Sequence, residues 1–142
     1  MNSNSMRNAN APHTDFGFLL EVIPNNPKAI PSDIDMIFER KKQFFVGEWK
    51  VPGERMSLGQ ELTLRALSEL ENFSVYIIQG YSNSKGRIIK DIYKFVNGKP
   101  KLIGSGEERF LSIYKAWYDF ADFSQFIASS PTDTNIIAPQ AL

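Results

Sequence analysis

The hydrophobic positions of the chain fall into short runs that are separated by polar turn sequences. Residues 34–39 (IDMIFE) and 44–50 (FFVGEWK) lie on either side of the turn ERKK, and together they predict a β-hairpin. After the loop VPGERMS, apolar residues recur at helical spacings over residues 58–70, behind Ser57, which is a typical helix N-cap residue. The first half of the chain therefore predicts a hairpin followed by a helix.

The second half of the chain carries further strand and helix signals. The apolar run 75–79 (VYIIQ) predicts a short buried strand. Residues 87–96 and 101–103 flank an Asn-Gly dipeptide, which is a strong signal for a hairpin turn. Aromatic and apolar residues then recur at helical intervals over residues 107–127, and this pattern predicts a closing helix.

This order of elements predicts a mixed β-sheet flanked by helices, in the α/β (α+β) class. Because a helix joins the first hairpin to the next strand, the two strands that it connects are expected to be parallel neighbours. The N-terminal run 16–23 (FGFLLEVI) fits a strand or a short helix. We expect a single domain over residues 14–128, with a flexible arm at 1–13 and a loosely ordered tail at 129–142.

The composition restricts the chemistry that is open to the chain. Its 142 residues include no cysteine and one histidine, His13, so the usual zinc sites and a histidine-based triad in the core are excluded. Any metal would be held by oxygen atoms, which favours magnesium, manganese or calcium. No apolar run approaches the ~20 residues of a membrane span, and the polar N-terminus does not resemble a signal peptide. We therefore expect a cytoplasmic protein without a membrane partner.

Charged residues lie at the start of the first strand of the predicted hairpin and at the end of its second strand. Asp35 precedes the apolar run MIF, and Glu48 and Lys50 end the second strand. Alternation puts Glu48 and Lys50 on one face and Trp49 on the other, where its ring is expected to join the core. Two neighbouring carboxylates repel each other, and a divalent cation relieves that repulsion. A lysine beside them can orient or activate water, or hold developing negative charge, which is the chemistry of phosphodiester hydrolysis.

Asp35 and Glu48-x-Lys50, on a hairpin followed by a helix, resemble the motif of the PD-(D/E)xK nuclease superfamily. That superfamily includes restriction enzymes, archaeal Holliday-junction resolvases and small nucleases of phages and mobile elements. The resemblance covers residues 32–80 and implies a restriction-endonuclease-like core in the order αβββαβ. It implies that Asp35, Glu48 and the main-chain carbonyl of Trp49 bind Mg²⁺ or Mn²⁺, that Lys50 is catalytic, and that Gln60 faces the site from the helix.

Two further acids are candidates for this site. Members of the superfamily often carry a proline before the first acid, whereas Ile34 precedes Asp35 and Pro31 stands two residues before Asp33. We prefer Asp35 because an apolar run follows it directly, and Asp33 stays a second candidate. Glu21 is a candidate for the upstream glutamate that many members carry on a first helix.

The predicted function is that of a metal-dependent endonuclease acting on DNA rather than RNA. Resolvase, nicking and homing-type activities all fit, and the resemblance implies the cytoplasm of a bacterial or phage-infected cell. Charged residues also end many surface strands, so a short motif of this kind can arise by chance. The alternative to an enzyme is a nuclease fold that binds DNA or assembles without turnover. The spacing of the acids, the run FFVG before Glu48 and the helix that carries Gln60 favour the enzyme.

Contacts to DNA are expected to come from local basic residues, because the formal net charge is zero. Lys85 and Arg87 are the predicted contacts, and Lys41 and Lys42 in the first turn are the next candidates. Lys90 and Lys94 are less favoured, since alternation would place them on one face with apolar neighbours. One small domain offers a limited footprint on DNA, so a homodimer is a plausible assembly.

Overall fold

The computed structural model describes residues 15–23 and 31–128, with side chains up to residue 124. The chain divides into two units, residues 1–32 and residues 33–142. In the first unit a 3-10 helix spans Phe16–Val22, where the sequence fitted either a strand or a helix. The Asp15 side chain caps it by accepting a hydrogen bond of 2.8 Å from the Gly17 N–H. The predicted arm (1–13) and tail (129–142) lie outside the described residues.

The second unit contains a five-stranded mixed sheet and two helices. Its strands lie in the order in which they occur along the chain. The elements are β1 (Met36–Arg40), β2 (Gln43–Lys50), α1 (Leu58–Ser68), β3 (Phe73–Asn83), β4 (Gly86–Val96), β5 (Lys99–Ser105) and α2 (Glu107–Ala128). Within the described ranges, neither helix is long and apolar enough to cross a membrane. The predicted mixed sheet with flanking helices is confirmed.

Strand β2 lies between an antiparallel and a parallel neighbour. It pairs with β1 in the predicted hairpin, with Met36 opposite Gly47. It pairs in parallel with β3, with Lys50 opposite Gln79, because α1 carries the chain back along the sheet. The β3–β4 and β4–β5 pairs are antiparallel. The parallel crossover predicted from the sequence is therefore confirmed.

Two of the hairpins turn on residue pairs with positive φ. Asn97 and Gly98 have φ of 53° and 79°, which is the conformation that the Asn-Gly signal predicts. Lys41 and Lys42 adopt the same left-handed conformation, with φ of 50° and 69°, although neither residue favours it. Positive φ at both central residues matches the twist of the flanking strands, so the lysine pair forms a tight turn at the far end of the first hairpin.

The two helices cover opposite faces of the sheet, and an apolar cluster lies beneath each. The cluster beneath α1 contains Val46, Leu64, Val75, Ile77 and Phe95. The cluster beneath α2 contains Phe45, Tyr76, Ile78, Ile89, Ile92, Trp117 and Ala121. Because β2 is buried on both faces, its sequence is a continuous apolar run rather than an alternating one. Its last residues lie where this core meets the edge of the sheet.

Strands β3 and β4 continue beyond the rest of the sheet. Strand β2 ends at Lys50, opposite Gln79, and β5 reaches β4 only as far as Asp91. In the described part of the chain, residues 80–89 pair only with each other, and the Lys90 carbonyl accepts a hydrogen bond from the Gly106 N–H; we call residues 80–90 the β3–β4 ribbon. Most of its side chains are exposed on both faces, so the sequence shows no apolar period there, and our prediction of a strand over 75–79 stopped too early.

Gly80 allows the ribbon to leave the sheet beneath the Trp49 ring. A Cβ atom at this position would lie 2.3 Å from the Ile88 carbonyl oxygen and 2.8 Å from the Trp49 ring. We expect Gly80→Ala to lower the free energy of unfolding by about 2 kcal/mol, since neither the strand nor the packed ring can move freely. Urea unfolding measures the change. Ser82→Ala, at an exposed position of the same strand, is the control, and equal stability of the two variants would contradict the prediction.

Candidate functional site

The site lies where β1 begins and β2 ends. Asp35 directly precedes β1, and continuing the register beyond the Met36–Gly47 pair places it opposite Glu48. The Asp35 Oδ2 atom accepts a hydrogen bond of 2.8 Å from the Trp49 N–H. This bond fixes the carboxylate of Asp35 against the strand that carries Glu48 and Lys50. Asp35 therefore lies beside Glu48 and Lys50, as the length of the hairpin predicted.

Gln60 connects the acid and the lysine through its side-chain amide. Its Nε2 atom donates to Glu48 Oε2 over 2.7 Å, and its Oε1 atom accepts from Lys50 Nζ over 2.8 Å. The Ser57 side chain caps α1 by accepting from the Gln60 N–H over 3.2 Å, so the position of the glutamine is set by the start of the helix. Gln60 is half-buried, and it faces the site as the resemblance implies.

Glu48 is a buried carboxylate with one unsatisfied oxygen. It is 2% exposed, and its Oε1 atom has no hydrogen-bond partner among the described residues. Burial raises the pKa of Glu48 from 4.5 to about 7; the negative charge of Asp35 adds to this effect and Lys50 opposes it. A buried polar atom without a partner is costly, and a ligand that binds carboxylate oxygen would remove that cost.

Lys50 lies between two carboxylates, and not all N–H donors of its ammonium group are in close hydrogen bonds. It is 8% exposed, and its Nζ atom lies 3.7 Å from Glu48 Oε2 and 3.5 Å from Glu54 Oε2. Both separations exceed the usual length of a charge-assisted hydrogen bond, so only the contact with Gln60 is a close one. The ammonium group of Lys50 can therefore turn towards an anionic ligand.

Glu54 is a neighbour of the site that the sequence analysis missed. Its Oε1 atom accepts a hydrogen bond of 3.0 Å from the Val51 N–H. That bond, followed by the charge of Lys50, lowers the pKa of Glu54. In the sequence, Glu54 is marked only by its position four residues after Lys50, within the loop VPGERMS. Because such a spacing is common in loops, it does not predict a contact with the site.

The oxygen atoms around Glu48 fit a divalent cation. The described residues contain no group of three or more histidine, cysteine, aspartate or glutamate side chains placed to hold a metal, so a cation would depend on Asp35, Glu48 and main-chain or solvent oxygens. The N–H and C=O groups of one strand residue point towards the same neighbouring strand, so the Trp49 carbonyl is on the side of Asp35. This carbonyl and the unsatisfied Oε1 atom of Glu48 are oxygen donors of the kind that magnesium and manganese prefer.

The Trp49 ring lies on the opposite face of the sheet from Glu48. It packs against the apolar cluster beneath α2, as alternation along the strand predicted. A pocket of about 270 Å³ lies beside it and is lined mainly by apolar side chains, together with Asp35 and Arg87. Arg87 therefore lies at the same end of the sheet as the site.

The sequence also singled out Lys41, Lys42, Asp33 and Glu21. Lys41 and Lys42 form the turn at the far end of the hairpin, and Lys41 pairs with Asp122 over 2.9 Å. Asp33 is exposed, and the described residues contain no hydrogen bond between it and Glu48. Glu21 is an exposed residue of the 3-10 helix in the first unit.

The basic residues of the β3–β4 ribbon differ in their contacts. Arg87 forms an exposed ion pair with Glu107, with two N–O distances of 3.0 Å. The Lys85 N–H donates to the Asn83 side chain over 2.8 Å within the turn. Lys94 lies on the face that α2 covers, 5.8 Å from the centre of the Tyr76 ring, so it is directed away from Glu48. Lys90 is exposed at the base of the ribbon.

The functional interpretation depends on the geometry of this site. No family model matches the chain, and neither a curated protein nor a solved structure matches it. The resemblance to the nuclease superfamily therefore stands on the motif formed by Asp35, Glu48 and Lys50, together with the contacts described above.

Proposed function

We propose that this chain is a metal-dependent nuclease with a restriction-endonuclease-like core, hydrolysing phosphodiester bonds in DNA. The observation that carries the proposal is the buried Glu48 carboxylate, which contacts Gln60, lies near Lys50 and Asp35, and has one free oxygen. A purely structural ion pair would satisfy both oxygens of a carboxylate that is 2% exposed. A buried acid whose pKa is raised by burial and by a neighbouring carboxylate is typical of a site that binds a ligand.

Asp35 and Glu48 would hold Mg²⁺ or Mn²⁺ together with the Trp49 carbonyl. The chemistry that such a cation supplies is Lewis-acid activation of the phosphate and of a water molecule. Lys50 would orient the attacking water and stabilise the negative charge that develops on the phosphate oxygens. Gln60 would act as a positioning residue, because its amide holds Lys50 and Glu48 at fixed separations.

The second candidate is a nuclease fold that binds DNA or assembles without turnover. One observation favours it: Gln60 already donates to Oε2 of Glu48, and the described residues hold no third acidic side chain placed to complete a metal site. The DNA substrate and a homodimeric assembly are part of the proposal for either candidate. Resolvase, nicking and homing-type reactions all remain open to the enzyme.

The test combines cleavage with the metal dependence of stability. We expect the wild type to cut plasmid, branched or single-stranded DNA in magnesium or manganese, and the cation to raise its melting temperature, since it binds the folded state alone. Asp35→Asn and Glu48→Gln should lose both effects. Asp33→Asn, which removes an exposed acid two residues from Asp35, is the matched control and should keep both.

Each outcome of this test separates the candidates. A melting temperature that rises equally in the wild type and in Glu48→Gln would exclude a metal shared by the two acids. DNA binding without cleavage in either cation would leave the binding module as the function. Loss of activity in Asp33→Asn, with Asp35→Asn unaffected, would show that Asp33 is the first acid.

A further inference from the structure

The β3–β4 ribbon starts where the strand that carries the proposed catalytic residues ends. Lys50 pairs with Gln79, and the ribbon continues from Gly80 to the Asn83–Gly86 pair at its tip. At about 3.4 Å per residue, it projects roughly 13 Å beyond Lys50. A two-stranded ribbon of this kind has a width that the major groove of duplex DNA accommodates.

An exposed apolar pair of the ribbon lies on the face of the sheet that carries Glu48. Ile77 packs in the cluster beneath α1, so alternation places Gln79 and then Tyr81 on that same face. Tyr81 pairs across the ribbon with Ile88, and the two residues are 45% and 60% exposed. This pair therefore lies about 7 Å beyond the Lys50–Gln79 row, on the side from which a phosphodiester would approach Glu48.

The charge of the ribbon fits a polyanion rather than a neutral or basic partner. Residues 80–90 (GYSNSKGRIIK) contain Lys85, Arg87 and Lys90 and no acid. In the described part of the chain, the only ion pair of this segment joins Arg87 to Glu107, and both side chains are about half exposed. Such a surface pair is weak, so a phosphate can compete for the guanidinium group of Arg87. Lys85, at the tip, pairs with no acid of the described residues.

We infer that the β3–β4 ribbon is a reading arm for duplex DNA. The ribbon enters the major groove of the duplex beside the proposed cleavage site. Lys85 contacts the phosphate backbone from the tip of the ribbon, and Tyr81 and Ile88 contact base edges or thymine methyl groups in the groove. The inference rests on the proposed function, and it adds the form of the substrate: a duplex that extends past the scissile bond towards the ribbon.

The experiment measures binding of a short fluorescein-labelled duplex by anisotropy, in calcium and over a series of salt concentrations. Tyr81→Ala/Ile88→Ala should weaken binding by about 10-fold or more and leave the salt dependence unchanged, because apolar contacts release no counterions. Lys85→Ala should flatten the slope of log affinity against log salt by about 0.9. Leu102→Ala and Lys101→Ala, at exposed positions of β5, are the matched controls and should bind as the wild type does.

Duplex affinity that is unchanged in both ribbon variants would overturn the inference. An equal loss of affinity for single-stranded and duplex DNA would also overturn it, since a groove exists only in the duplex. The magnesium-dependent rise in melting temperature keeps the two proposals separate, because the ribbon variants leave Asp35 and Glu48 intact. Ribbon-dependent binding without that rise would reject the metal site and retain the reading arm, whereas a wild type that binds no DNA would reject both.

Discussion

Lys50→Met should lower the rate of DNA cleavage by on the order of 10²-fold or more, which is the usual effect of removing a positioned catalytic group. Methionine keeps most of the length and burial of the lysine stem, so the variant removes the charge and the N–H donors while the packing stays similar. Lysine is not a metal ligand here, and the rise in melting temperature that magnesium causes should therefore persist. The measurements are single-turnover cleavage and a thermal melt, each with and without magnesium.

Lys101→Met provides the control for this experiment, because it removes an exposed cation from β5 rather than from the site or the ribbon. It should leave single-turnover cleavage at saturating enzyme within a few-fold of the wild type. Cleavage by Lys50→Met at the wild-type rate would remove Lys50 from the proposed chemistry. Loss of the magnesium effect in the same variant would instead assign to Lys50 a role in holding the two acids.

Stability without a divalent cation should fall as the pH rises from about 4.5 to about 7, owing to Glu48. The pKa of this residue is about 7 in the folded chain against an ordinary 4.5, so in that interval the folded state holds a proton that the unfolded state has released. The free energy of unfolding then decreases with pH, by about 3 kcal/mol in total at 1.36 kcal/mol per pKa unit. Below pH 4.5 this contribution is fully present, and above pH 7 it is lost.

The pH effect is measured by urea unfolding in EDTA across this range. Glu48→Gln should show a flatter pH profile, because glutamine does not titrate, whereas Glu71→Gln removes an exposed acid and should follow the wild type. Magnesium should restore the stability lost near pH 7, since it binds the ionised carboxylate. Parallel profiles for the wild type and Glu48→Gln would contradict the link between this residue and the pH dependence.

The sequence was sufficient to predict the parts of the site that depend on local order. Asp35, Glu48 and Lys50 meet because a short hairpin brings the start of one strand to the end of the next, and alternation assigns each side chain to a face. Gln60 follows from the N-cap at Ser57, which sets where α1 begins. The parallel β2–β3 pair follows from the crossover helix in the same way.

Contacts between distant parts of the chain were not predictable in this way. Lys41 was expected on an open turn, yet it pairs with Asp122 of α2, and Arg87 pairs with Glu107. A single sequence has no signal for such pairs, since surface charges tolerate many partners. The first strand of the ribbon, residues 80–83, was also missed, because a strand exposed on both faces has no apolar face and therefore no hydrophobic period.

The four polar side chains of the site all come from one continuous stretch, residues 35–60. The first hairpin, with its two-residue turn, and the first turn of α1 set the distances between these side chains. The segments that join them are short, so bringing their ends together costs little entropy. Strand β5 and helix α2 lie outside this stretch and contribute no residue to the buried cluster beneath α1. Changes of length or surface in β5 and α2 would therefore leave the proposed site in place, so under the proposed function the substrate preference could change without a change in the site.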